Sequence, residues 1–219
     1  RAYDAAGNVS ADSTSVSATL PPAVVNPISI DTSVTTSQTT NATSISSPSF
    51  ATTGYNQLLV AFITSDGPNG TQSFSGVTGG GLTWTLRKRV NTQRGTSEIW
   101  TAASPLPLTN VVVKATRSSG SYQGMLHVVA FKNAAFGATG GNNATTGAAN
   151  ATVMSTAANA WVWGVGNDWD GATARTVGAN QTKVQEMLAP ASDTFWVQRQ
   201  TAITPVAGTT VAINTTAPT

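Results

Sequence analysis

The chain has 219 residues, of which only 9% are charged and 40% are hydrophobic, and its net charge is +2. Adequate hydrophobicity with a low net charge excludes an intrinsically disordered chain. No apolar run approaches the ~18 residues of a membrane helix, so we expect no membrane insertion. The near balance of charges gives no nucleic-acid footprint. The absence of cysteine excludes disulfides and thiolate chemistry.

The first twenty residues carry a hairpin pattern. Gly7-Asn8 is a turn dipeptide, and alternating residues from Thr14 to Leu20 follow it until Pro21-Pro22 stops strand pairing. The motif A-x-D-x-A-G-N-x-S at residues 2–10 resembles the last hairpin of a bacterial fibronectin type III domain. The resemblance implies that residues 1–22 are a fibronectin type III remnant with a proline linker. Residues 23–219 are then a separate β-sandwich module, and the chain is expected to be a piece of a longer protein.

Short strands separated by turns are predicted along the rest of the chain. Asn56 to Thr64 (NQLLVAFIT) is continuously apolar and predicts a strand that is buried on both faces. Further strands are predicted, in chain order, at residues 82–90, 96–102, 110–117, 122–132, 152–155, 160–166, 182–188, 194–200 and 209–214. Their near-regular spacing without a convincing helix predicts an all-β fold, namely an antiparallel β-sandwich that is jelly-roll-like.

Several motifs of the module resemble accessory modules of secreted proteins from environmental bacteria. They are GLTWTL at residues 81–86, EIWTA at 98–102, GNDWD at 166–170, ART at 174–176 and DTFWVQ at 193–198. The resemblance implies an accessory role in a secreted multidomain protein. We therefore expect an extracellular or cell-surface location.

The inventory of catalytic residues is poor, and we expect that the chain is not an enzyme. The single histidine, His127, lies in an apolar strand pattern that predicts a packing or surface role. One histidine and no cysteine cannot supply a zinc site of the usual kind. Glycoside hydrolysis needs only two carboxylates, which leaves Glu98, Glu186 and the aspartates formally open.

Glu98 and Trp100 share one face of a predicted strand, with Ile99 on the other. Both side chains are exposed together if Ile99 faces the core. If Trp100 faces the core, Glu98 is an inward carboxylate that needs an arginine partner such as Arg175 or Arg199. We favour the second arrangement because tryptophan buries more area than isoleucine.

The segment Asn167 to Gly171 (NDWDG), with Arg175 shortly after it, is the main candidate site. Asp168 and Asp170 flank Trp169 in a predicted loop. Two such carboxylates can bind a calcium ion through oxygen, contact a ligand, or cap a turn. All three alternatives stay open, and Ca²⁺ is the one cofactor that we consider.

Trp161 and Trp163 fall on one face of the preceding strand, which is either core or an aromatic platform. With Asp168, Trp169, Asp170 and Arg175 they form the candidate ligand-binding set. The chain has six tryptophans and few charges, which suits carbohydrate recognition. The leading hypothesis is therefore a non-catalytic module that binds a polysaccharide or a cell-surface glycan.

The alternative function is a structural or adhesive subunit that assembles through protein-protein contacts, for which copies of itself are one candidate partner. Residues 9–20 alternate small apolar residues with Ser and Thr, and are the natural strand donor to an open edge. Donation that does not close into a ring predicts a filament.

Overall fold

The computed structural model describes residues 5–6 and 26–217, and every regular element in this part is a β-strand. The first seven strands are β1 Ser29–Ala42, β2 Ser44–Ser46, β3 Gln57–Asn69, β4 Phe74–Thr78, β5 Thr85–Val90, β6 Arg94–Ser104 and β7 Lys114–Arg117. The next seven are β8 Tyr122–Lys132, β9 Asn150–Met154, β10 Trp163–Asp168, β11 Thr176–Val177, β12 Gln181–Leu188, β13 Thr194–Gln200 and β14 Thr210–Ala217.

The strands form one five-stranded sheet and three three-stranded sheets. The five-stranded sheet, called the central sheet below, has the order β1-β8-β3-β6-β5. The smaller sheets have the orders β2-β7-β4, β10-β13-β12 and β11-β14-β9. Neighbouring strands are antiparallel in all of them. The predicted all-β antiparallel class is thus confirmed and is consistent with a β-sandwich, whereas jelly-roll connectivity stays a prediction.

The central sheet is covered on both faces, so its middle strands are apolar on both faces. In β3, Leu59, Ala61 and Ile63 enter one core and Val60 and Phe62 enter another. This arrangement confirms the expectation from the continuous run NQLLVAFIT, because a strand that is half-exposed would alternate with polar residues. Strand β8 follows the same rule.

The first core lies between the central sheet and the β2-β7-β4 sheet. It contains Ile45 of β2, Phe74 of β4 and the buried indoles of Trp84 and Trp100. The second core lies between the opposite face of the central sheet and the β10-β13-β12 sheet, which contributes chiefly Met187, Phe195 and Val197. The described chain is thus layered, with the central sheet in the middle.

The predicted strands correspond to observed ones, with shifted ends, and β8 and β13 have the predicted bounds. Strands β1, β2, β4 and β11 were not anticipated from the sequence. Strand β1 is the largest omission: it is rich in Ser and Thr and lies at an edge of the central sheet, where its side chains are mostly partly buried or exposed. An edge strand of this kind lacks the apolar pattern by which strands are recognised.

Strand β10 depends on two glycines that face away from the central sheet. A Cβ added to Gly164 would lie 2.7 Å from Cγ2 of Ile213, and one added to Gly166 would collide with the Trp196 ring. Trp196 is directly opposite Gly166 in β13. Its indole lies in the space above the glycine, and Nε1 donates a hydrogen bond to Gln198 Oε1 (2.9 Å).

The N-terminal hypotheses fall outside this description. The proposed fibronectin type III remnant and the strand-donor segment at residues 9–20 lie almost wholly outside the described residues, of which only Ala5 and Ala6 belong to them. The part of the chain that the structure describes has no helix long and apolar enough to cross a membrane.

We expect Gly166→Ala to destabilise the fold by about 1–3 kcal/mol, since the added methyl has no space beside Trp196. Gly76→Ala is the matched control, because a Cβ on this strand glycine would meet nothing within 4 Å. Urea unfolding followed by tryptophan fluorescence measures both variants. Equal stability of the two variants would contradict the packing assigned to β10.

Candidate functional site

A cavity of about 880 Å³ lies beside the second core. Its floor is the face of the central sheet that carries Val60 and Phe62 of β3 and Ser97, Ile99 and Thr101 of β6. One wall is β10, and the β9-β14 strands contribute Ile213 and Asn214 among others. The cavity is therefore bordered by strands of three different sheets.

The cavity is not filled by side chains because the segment that covers it consists mainly of small residues. The segment 133–162, called the covering segment, connects β8 to β10 and is dominated by Ala, Gly, Asn and Thr. Two of its glycines lie close to neighbouring strands: Gly140 against the carbonyl of Thr152, and Gly141 against Lys88 and Val90. Such side chains are too short to fill the volume, whereas bulkier residues would have extended the core.

Trp161 and Trp163 lie where the second core meets the cavity. Both are partly buried, pack against that core and line the cavity. Their ring centroids are 5.3 Å apart in an edge-to-face arrangement, and Phe131 contacts both rings. The guanidinium of Arg199 lies 4.7 Å from the centroid of Trp161. The face that carries Trp161 and Trp163 is thus both the rim of the second core and part of the cavity wall.

Asp168 and Arg175 form an ion pair that closes the loop between β10 and β11. The Arg175 side chain is only 3% exposed, and its guanidinium carbon lies 5.2 Å from the Trp196 ring centroid. Its backbone N–H donates to Glu186 Oε1 (2.7 Å), and burial lowers its pKa, against the opposing charge of Glu186. Arg175 thus anchors the loop to the β10-β13-β12 sheet.

Asp170 and Trp169 lie at the tip of this loop. The backbone N–H of Asp170 donates to Asp168 Oδ1 (2.9 Å), which is the Asx turn anticipated as one alternative. Asp170 is exposed, and Trp169 is partly buried with the Arg94 guanidinium 5.5 Å from its ring centroid. The Trp169 ring therefore contacts a cation and not an apolar core.

The structure brings all six candidate residues to the same cavity, which they line at different points of its wall: Trp161, Trp163, Asp168, Trp169, Asp170 and Arg175. Sequence reasoning missed the polar groups on other elements, including Lys88, Asn91 and Arg94. The GGNN run at residues 140–143 also lines the cavity, although its composition indicates only a turn between strands. The signal available for that run was its place in a long segment of small residues between two strands.

A calcium ion in the Asp168-Asp170 loop has little support from this geometry. Both Asp168 oxygens are engaged, one by the Asp170 N–H and the other by Arg175. Among the described residues, no group of three or more His, Asp and Glu side chains is placed to hold a metal. The geometry favours the turn over the cation in this loop.

Glu98 is a buried carboxylate whose partners are all supplied by the fold. It is fully buried in the first core with Trp100, as the favoured interpretation anticipated. Its arginine partner is Arg89, with Nε 2.7 Å from Oε1. The predicted partners Arg175 and Arg199 are wrong, because a neighbouring strand of the same sheet supplies the cation. Trp100 Nε1 (2.7 Å) and the backbone N–H of Phe74 (2.8 Å) donate to the same carboxylate.

His127 is likewise buried, on the side of the second core. Its Nδ1 lies 2.7 Å from Thr35 Oγ1, and its ring stacks near Phe62 and Trp163. Burial lowers the pKa of His127 to about 4. At neutral pH the imidazole is therefore uncharged.

Asp193, immediately before β13, is a second buried carboxyl group that the sequence analysis missed. It is 2% exposed. Burial raises its pKa to about 7, helped by the charge of Asp66 and a hydrogen bond between the two carboxyl groups, while Arg94 opposes the shift. The motif DTFWVQ contains Asp193. The apolar residues that follow Asp193 in this motif do not indicate that Asp66 of β3 lies near it.

Comparison of the chain with protein-family models, with curated proteins and with solved structures finds no match.

We expect Glu98→Gln to lower the free energy of unfolding by about 3 kcal/mol, because it leaves the Arg89 cation without its buried counter-charge. Lys88→Gln removes a charge from the adjacent position of the same strand and should change stability by less than about 0.5 kcal/mol. Chemical denaturation measures both. Equal effects would argue against the Arg89–Glu98 pair.

We expect His127 to make stability fall as the pH drops. Its folded-state pKa of about 4 lies below the ordinary 6.5, so its contribution is complete above pH 6.5 and is lost toward pH 4. The loss is up to about 3 kcal/mol, at about 1.4 kcal/mol per pKa unit. His127→Gln should lack this contribution, and subtracting its unfolding free energies from those of the unmodified protein cancels other groups such as Asp193. A difference that is constant from pH 7.5 to 4.5 would refute the buried neutral imidazole.

Proposed function

We propose that this chain is a non-catalytic carbohydrate-binding module of a secreted or surface protein of bacterial type. The observation that carries the proposal is the cavity of about 880 Å³, where partly exposed aromatic rings and uncharged polar groups meet. Sugars present both apolar ring faces and hydroxyl groups, and such a lining matches both. The volume is within the range of small-ligand sites.

The aromatic part of the cavity supports stacking. Trp163 and Trp169 are partly exposed and lie at separate points of the wall. The Trp163 ring is held by Phe62 and Phe131, so it does not need to be ordered when a ligand binds. A preorganised ring contributes more to affinity than a mobile one.

The polar part of the cavity supports recognition of hydroxyls. Amides line it from several elements, among them Asn91, Asn142, Asn143 and Asn214, and Lys88 and Arg94 add cationic donors. Amides both donate and accept hydrogen bonds, which suits hydroxyl groups that do the same.

The non-catalytic role is supported by the surroundings of Glu98 and His127, the two residues that a catalytic mechanism would need most. The carboxylate of Glu98 is enclosed in the first core and is saturated by donors from its own fold. His127 is buried and neutral, and it contacts Thr35. Neither residue lines the cavity.

We expect the purified chain to bind a glycan on an array and Trp169→Ala to weaken that binding at least about tenfold in calorimetry, since loss of ~1.4 kcal/mol of stacking is tenfold in Kd. Tyr55→Ala is the matched control, because Tyr55 is 67% exposed and lies outside the cavity lining. Circular dichroism verifies that both variants fold.

Two results would contradict the proposal: absence of glycan binding by the unmodified protein, or equal weakening by both substitutions. Measuring the mass in solution during the same experiments tests the structural or adhesive alternative, which predicts polymers.

A further inference from the structure

Three buried oxygen atoms without a hydrogen-bond partner lie on or beside strands that contact one another at the second core. Buried polar atoms are normally hydrogen-bonded, so each exception needs an explanation. Among the described residues, Thr64 Oγ1, Asn167 Oδ1 and Asp193 Oδ2 are buried and accept no hydrogen bond from a donor group. They come from β3, from β10 and from the residue immediately before β13, and both β10 and β13 contact β3.

Strand geometry directs these atoms toward one another. Side chains alternate along a strand, so Asp193 faces the central sheet as Phe195 and Val197 do. Asn167 is paired with Phe195 in the ladder, so it faces the same way. On the central sheet, Thr64 and Asp66 follow Phe62 on the face that looks toward β13.

Asp66 and Asp193 bring two carboxyl groups together. Their side chains are within hydrogen-bonding reach, and the proximity of Asp66 helps to raise the pKa of Asp193. Arg94 influences Asp193 from the rim, but it is exposed, with its guanidinium over Trp169. The charge of Arg117 acts on Asp66, but its guanidinium donates its hydrogen bonds to Ser65, Ala42 and Gln38. Asp193 Oδ2 therefore has no donor partner although two arginines lie near the pair.

Asn167 presents an oxygen and not an N–H to this space. Its Nδ2 donates to the Arg94 carbonyl (3.0 Å), and the side chain lies against Gly95, where a Cβ would collide with Nδ2. Because the nitrogen is committed, Oδ1 is left as an acceptor. Thr64 is fully buried, and its hydroxyl oxygen adds a neutral acceptor.

We propose that Asp66, Asp193 and Asn167, with Thr64 at the margin, form a calcium-binding site. Calcium takes six to eight oxygen ligands, mixes carboxylate with neutral oxygens and accepts irregular geometry. Magnesium demands a stricter octahedron, and zinc prefers nitrogen and sulfur ligands. The site is distinct from the Asp168-Asp170 loop, whose carboxylate is already paired with Arg175.

A calcium ion here would link three elements that border the cavity. Asn167 is the second-last residue of β10, immediately before Asp168 and the loop that carries Trp169, and Asp193 precedes β13. The ion would fasten this loop to β3 of the central sheet. This inference does not depend on the cavity binding carbohydrate.

The test is thermal unfolding of the chain at about pH 8 in EDTA, in excess CaCl₂ and in excess MgCl₂ at matched ionic strength. We expect calcium at about 100 times its Kd to raise Tm by about 5 to 10 °C by binding the native state, and magnesium to raise it clearly less. Asp193→Asn keeps the shape of the side chain and should remove the calcium shift while remaining folded in EDTA.

Asp170→Asn is the matched control, since it removes one charge from an exposed aspartate a few residues from Asn167. It should keep the full calcium shift. No calcium shift in the unmodified protein overturns the proposal. A calcium shift that persists in Asp193→Asn but disappears in Asp170→Asn also overturns the proposal and assigns the ion to the loop. Equal calcium shifts in all three proteins indicate nonspecific binding and overturn the proposal as well.

Discussion

Burial of strands β3 and β8 on both faces is the constraint on which the rest of the structure depends. A strand between two cores has no solvent face, so its side chains are apolar in both directions and its polar groups are pushed to its ends. This burial accounts for the near absence of charged side chains within β3 and β8, where Asp66 and Lys132 lie toward the strand ends. It also explains why the carboxylates with functional interest lie at strand ends: Asp66 follows the apolar run of β3, and Asp193 precedes that of β13.

The cavity is a consequence of incomplete coverage of this central sheet. The β10-β13-β12 sheet covers the second face over β3 and β8, but over β5 and β6 the cover is the small-residue segment 133–162. Trp161 and Trp163 lie at the boundary between the second core and the cavity. The glycines of β10 let Trp196 and Ile213 approach its other side closely. The aromatic residues thus form the rim of a core whose neighbouring volume is empty.

Much of the strand arrangement could be predicted from the sequence, but the partners of the buried carboxylates could not. A continuous apolar run identified β3, because burial on both faces leaves a direct mark on composition, and β8 was predicted with its observed bounds. Three predicted strands contain Trp84, Trp100 and Trp196, and all three side chains are buried. The polar edge strand β1 leaves no such mark. The partner of Glu98 was missed because a sheet brings together residues by strand order, and Arg89 becomes its neighbour only through the β5-β6 pairing. For the same reason, nothing in the sequence pointed from Asp193 to Asp66.

Comparison of three buried carboxylates shows why that last pair stands apart. Glu98 is neutralised by Arg89 and receives further donors from Trp100 and Phe74. Asp31 is bound by Lys132 and by donors on Thr53 and Gln57, which together hold its pKa below the ordinary value against the effect of burial. In both cases the fold supplies the positive charge that a buried carboxylate requires. Asp193 meets another carboxyl group instead, and Arg94 opposes the rise of its pKa only from an exposed position. Its Oδ2 has no donor partner, so either a proton or a cation can bind there. With neutral oxygens from Asn167 and Thr64 facing the same space, a cation has ligands there that a proton would not need.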